Sequence, residues 1–135
     1  MRRKDWYERL TNFVTTNVDR NFEWGTWDCC LFSSSCIYEM TGEDPAESFR
    51  GTYTTERGAL RALKKQGCNS VKQVLDLKLG KGKPRLSAQR GDIALVARPA
   101  GDAAGVVYGA VILVVTPTGM QQIPLSEAKT IWSVN

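Results

Sequence analysis

The chain has 135 residues, of which 42% are hydrophobic and 24% charged. That balance fits one folded domain and excludes a disordered or low-complexity chain. The net charge of +4 is unevenly spread: residues 57–90 carry ten Lys or Arg against the single acid Asp76, while residues 19–56 carry eight acids against Arg20 and Arg50. No apolar run nears the roughly 20 residues of a membrane-spanning helix, so no membrane span is expected.

Taken in chain order, the charged start "MRRKDWYERL" leads into no apolar core of a secretion signal. Residues 4–18 carry Trp6, Leu10, Phe13, Val14 and Val18 at helical spacing, an apolar stripe that predicts a core-facing helix. "DRNFEWGTWD" breaks the pattern, with Trp24 and Trp27 expected to pack this loop onto the next helix. Asp28 is a good N-cap for a helix over 29–40, in which Cys29, Phe32, Cys36 and Met40 share one face and Gly42 is the stop. Cys30 is expected to point about 100° away from Cys29.

"EDPAESFRG" reads as loop. A helix over 55–66 should turn Leu60 and Leu63 inward and stop at Gly67. A further helix starts at "SVKQ", where Ser70 and Gln73 make a capping-box pattern, with Val71, Val74, Leu75 and Leu77 apolar. "GKGKPRLSAQ" is a basic connection.

The pattern then changes to short β-branched runs at 91–97, 104–115, 119–125 and 130–134, with a possible helical turn in "LSEAKT". Helices first and strands later predict an α+β fold. One domain over 1–135 is expected, with a helical part at about 4–79 and a mostly antiparallel sheet at about 90–134.

Four cysteines are present, three of them in one predicted helix. Reduced thiols are the expectation. A Cys-Cys-x5-Cys run lacks the paired spacing of zinc and cluster sites, and Cys29 and Cys36 sit about 10 Å apart along a helix. No metal and no cofactor are expected. The basic 57–90 segment raises nucleic-acid binding as a reading, but no aromatic residues interleave it, so nucleic acid is not the expected partner. "RGD" at 90–92 is read as the start of a strand, not as an adhesion motif.

The order "WGTWDCCLF", "QRGDIALV", "AAGVVYGAV" resembles the NlpC-type cysteine peptidases of the papain-like fold. The chain looks similar, more specifically, to small phage proteins encoded among tail genes. The matching patches are Trp24, Gly25, Asp28 and Cys29; Thr41, Gly42, Asp44 and Pro45; Arg50, Gly51 and Tyr53; and Trp132. The resemblance implies a papain-like fold in which Cys29 takes the nucleophile position. Gly91 and Asp92 open the first strand, and Gly105 and Gly109 match the family glycines of the base-bearing strand. Ala103 then falls where the histidine base belongs, and the third polar position falls in or near Val111–Val115, which is wholly apolar.

The chain has no histidine. Amide cleavage needs an acid to protonate the departing amine, and a carboxylate with an ordinary pKa near 3.9 is rarely protonated at pH 7. Loss of a triad member typically costs about 10⁴-fold. The expectation is therefore a structural or assembly component of a phage tail, at the tip or hub, made in the host cytoplasm and carried in the virion. Its expected partners are hub, distal tail or tape-measure proteins. The alternative is a cell-wall hydrolase acting during infection with an unconventional or borrowed base.

Overall fold

The helix ends follow their capping residues. Asp28 accepts a hydrogen bond from the Leu31 N–H, Thr55 from Gly58, and Ser70 from Gln73. Each satisfies an N–H that the first helical turn cannot pair internally. The structure, a computed structural model, describes all 135 residues. It comprises α1 (Trp6–Asn17), α2 (Cys29–Thr41), α3 (Glu56–Lys65) and α4 (Val71–Leu79), then β1 (Ile93–Arg98), β2 (Gly101–Tyr108), β3 (Val111–Thr116), β4 (Gly119–Pro124) and β5 (Ala128–Trp132). Single 3-10 turns occupy Arg85–Ser87 and Leu125–Glu127, the second of them inside "LSEAKT".

The strands form one antiparallel sheet in the order β4-β3-β2-β1-β5. The α+β expectation and the helix-then-sheet division hold. Alternation along the strands makes two cores. On the helix-facing side, Ile93, Leu95, Ala104, Val106 and Leu113 pack with Leu10 of α1 and with Phe32, Cys36 and Met40 of α2. On the other side, Ala94, Val96, Val107, Ile112 and Ile131 form a smaller cluster.

Five expectations change. The run 104–115 is a hairpin, with β2 and β3 joined through Gly109 and Ala110, because Tyr108 pairs with Val111 across that turn. β2 also starts earlier, at Gly101. Val18 lies past the end of α1 and is exposed, its carbonyl accepting from Met120 N–H. Most consequential for function, α3 buries none of its residues: Leu60 is 49% exposed and Leu63 only half-buried. Leu77 of α4 is also exposed. The apolar side of α3 faces a cavity, not the core.

Asp92 ties the two ends of the chain to the sheet. It is 1% exposed, and its carboxylate meets Arg2 at 3.3 Å and Lys83 at 2.9 Å. It also accepts from the Gln89 and Val134 N–H groups. A buried carboxylate needs such pairing to offset its lost hydration. The "RGD" triplet is thus a strand start with an inaccessible aspartate.

Candidate active site

Cys29 is the first residue of α2, where the free N–H groups of a helix start favour negative charge. The loop before it is shaped by Gly25, at φ +80°, whose backbone packs directly against the Tyr53 carbonyl. Asp28 fixes that loop from within. It is buried and accepts from Gly25 N–H at 3.1 Å, Leu31 N–H at 3.0 Å and the Tyr53 hydroxyl at 2.5 Å. With three donors already on it, Asp28 is a structural carboxylate.

Pairing between β2 and β3 stops at Val106–Leu113, so the first half of β2 has no β3 partner. Cys29 sits at this point, beside the Ala104 backbone, whose N–H favours its thiolate. The Cys30 thiol reaches the same atom, at 4.0 Å between sulfurs. The expectation that Cys30 points away from Cys29 is therefore corrected: the two sulfurs converge to 4.0 Å on the first turn of α2.

The hydrogen bond from the Cys30 thiol is the main influence drawing the Cys29 pKa below the ordinary thiol value. Burial opposes it, the Ala104 and Cys30 N–H groups assist, and the Asp28 carboxylate opposes it again. Cys30 is pushed well above the ordinary value, first as donor to Cys29 and then by burial. Burial likewise pushes Cys36 up, with Glu39 adding to the effect. All four cysteines are free thiols.

Cys29 and Cys30 open on a cavity of about 580 Å³. Trp24, Asp28 and Tyr53 line it near the thiols, Ala59, Leu60 and Leu63 of α3 form one wall, and Ala103 and Val115 form the strand side. Ser33, one turn beyond Cys29 on α2, lines it too; it is 2% exposed and its hydroxyl has no hydrogen-bond partner. Trp24 reaches this site, stacked edge-on against Phe22, whereas Trp27 is a core residue packed against Phe32.

The other residues singled out in the sequence lie elsewhere. Gly105 sits in β2, where an added Cβ would fall 2.6 Å from Ile112, so its lack of a side chain lets β2 and β3 close. Gly109 is in the hairpin turn, and Gly91 with Asp92 precedes β1, Gly91 lying against Met40 near the C-terminal end of α2 whose start carries Cys29. Residues missed in the sequence are Cys30 as Cys29's donor, Ser33, and Tyr53 as Asp28's partner. Tyr53 stood in a recognised patch, but only folding brings it to Asp28.

Half of the basic residues of 57–90 are engaged within the molecule. Lys72 pairs with Asp76, Lys83 with Asp92, and Arg85 donates to the Ser126 carbonyl. Lys78 lies over Phe49 and Arg90 over Tyr108. No group of three or more acidic, cysteine or histidine side chains converges as a metal site would require.

Fold and site together define an α+β domain that presents a cysteine at a helix start against the unpaired part of a sheet, above an apolar cavity. A family model described as a domain of unknown function, DUF6950, matches residues 1–134, and the chain belongs to that family. Comparison with curated proteins gives no match.

Proposed function

We propose that this is a non-catalytic domain of the papain-like, NlpC type that works by docking, as an assembly component of a bacteriophage tail. Its place is the tip or hub, in contact with hub, distal tail or tape-measure proteins. The observation that carries the non-catalytic part is the wall opposite Cys29. Ala103 and Val115 stand there, Asp102 beside them is paired with Lys129, and the chain offers no histidine to protonate a leaving amine. The tail assignment rests on the ordered sequence patches from Trp24 to Trp132.

The test has two arms. Purified protein incubated with peptidoglycan and with free stem peptides is expected to release nothing. Mass spectrometry of purified phage particles is expected to find the chain with the tail proteins. Cleavage that Cys29→Ala abolishes would overturn the first part, and absence from tail assemblies and their intermediates the second.

A second reading draws on the lowered pKa of Cys29, which suits a nucleophile. It makes the protein a cell-wall hydrolase whose base comes from a neighbouring tail protein. Adding purified tail hub to the same assay separates the two readings: only this one expects cleavage to switch on.

A further inference from the structure

The docking role leaves three features of the site unused. One is the apolar cavity, whose volume of about 580 Å³ lies within the range of small-molecule pockets. Another is α3, whose apolar residues Ala59, Leu60 and Leu63 face that cavity and bury nothing of their own. The third is Ser33, a fully buried hydroxyl on the cavity wall with no partner. A buried hydroxyl without a hydrogen bond is costly, so a polar atom of a bound molecule is its natural complement.

These features share a wall with a thiol. We propose that Cys29 accepts a long-chain acyl group from an acyl thioester of a small carrier thiol, and that the cavity houses the chain. The apolar lining recognises the hydrocarbon, α3 closes over it, and Ser33 bonds the polar end.

The chemistry needs no histidine. The Cys29 sulfur, as thiolate, attacks the thioester carbonyl carbon and a new C–S bond forms. The tetrahedral intermediate then expels the carrier thiolate as the old C–S bond breaks. Cys29's proton has gone to water, and the carrier thiolate takes one back. The net change is thiol plus thioester giving thioester plus thiol, with nothing oxidised or reduced. A departing amine must be protonated, but a departing thiolate is a stable anion with an ordinary pKa near 8.5. The missing acid that stops amide cleavage therefore does not stop this exchange.

The acyl group should also persist. Hydrolysis would need a base to activate water, and of the cavity's carboxylates Asp28, beside Cys29, is occupied by three donors and Asp102 is paired with Lys129. The site is built to load once and hold.

The experiment uses purified full-length protein with the hexadecanoyl and acetyl thioesters of N-acetylcysteamine, read by intact mass spectrometry. One hexadecanoyl group is expected to add, to map to Cys29 by fragmentation of the wild-type adduct, and to come off with neutral hydroxylamine. The hexadecanoyl ester should react at least about tenfold faster than the acetyl ester, since burial of two methylenes alone is worth roughly that factor. Leu63→Trp, which fills the cavity, should bring that ratio toward one. No adduct, an adduct on another cysteine, or equal rates for the two esters in the wild type would each overturn the proposal.

Discussion

The sulfurs of Cys29 and Cys30, adjacent in the chain, lie 4.0 Å apart, in reach for the Cys30 thiol to donate to Cys29 once Cys29 is a thiolate. Residues next to each other on a helix ordinarily diverge by about 100°. Here the pair occupies the first two positions of α2. The consequence is an asymmetric pair: one sulfur favoured as thiolate, the other held as thiol.

That asymmetry predicts selective alkylation. With iodoacetamide at pH 7, Cys29 should react at least about tenfold faster than Cys36, because each pKa unit is a tenfold change in thiolate fraction. Its rate should rise through a midpoint below the ordinary thiol value. Cys30→Ala removes the main influence lowering that pKa and should move the midpoint up. Uniform slow labelling of all four cysteines would contradict this.

The Tyr53–Asp28 bond predicts a pH-dependent stability term. Burial, then the bond to Asp28, raises the Tyr53 pKa above its unfolded value of about 10. A raised folded pKa gives stability that is full below pH 10 and lost as pH rises toward the folded value. Tyr53→Phe should cost about 1–2 kcal/mol in urea unfolding between pH 6 and 9, discounted because the phenol is half-exposed. The deficit relative to wild type should shrink above pH 10. A constant deficit through pH 11 would argue against the assignment.

Gly25 predicts a severe effect from one methyl group. A Cβ there would fall 1.8 Å from the Tyr53 carbonyl oxygen, on backbone at φ +80°. Both the clash and the left-handed conformation must be relieved. Gly25→Ala should cost at least about 3 kcal/mol or prevent folding. Gly105→Ala meets the Ile112 side chain at 2.6 Å and the Leu113 carbonyl oxygen at 2.8 Å, a milder approach without a left-handed backbone, and should cost less, about 1–3 kcal/mol. Comparable, small effects in thermal denaturation would refute this ranking.

Asp92→Ala leaves Arg2 and Lys83 without their shared carboxylate and should cost about 3 kcal/mol. Because Asp92 also accepts from Val134 N–H, hydrogen exchange should speed up at the C-terminal end first. Protection there equal to wild type would show that the carboxylate does not hold that end.

The sequence was most informative where the physics is local. Asp28, Ser70 and Gly42 mark helix ends because a cap acts within three or four residues of itself, and all three do so in the structure. The lack of histidine, and of any polar residue at Val111–Val115, was equally plain. Alternating β-branched runs announced a sheet, although the two-residue turn at Gly109–Ala110 was read through as continuous strand. Leu60 and Leu63 were misplaced for a related reason: amphipathic spacing shows that a helix has an apolar side, not what that side faces.

The sequence alone thus determined the α+β class, the helix starts, and the thiol placed at one of them, since these follow from spacing and neighbouring residues. Only the tertiary structure decided what surrounds that thiol. Tyr53 reaches Asp28 from 25 residues away, and Ala104 meets Cys29 from a strand 75 residues on. The cavity exists because α3 stands off from the sheet. Such contacts depend on how whole elements pack, and no local pattern of residues encodes them.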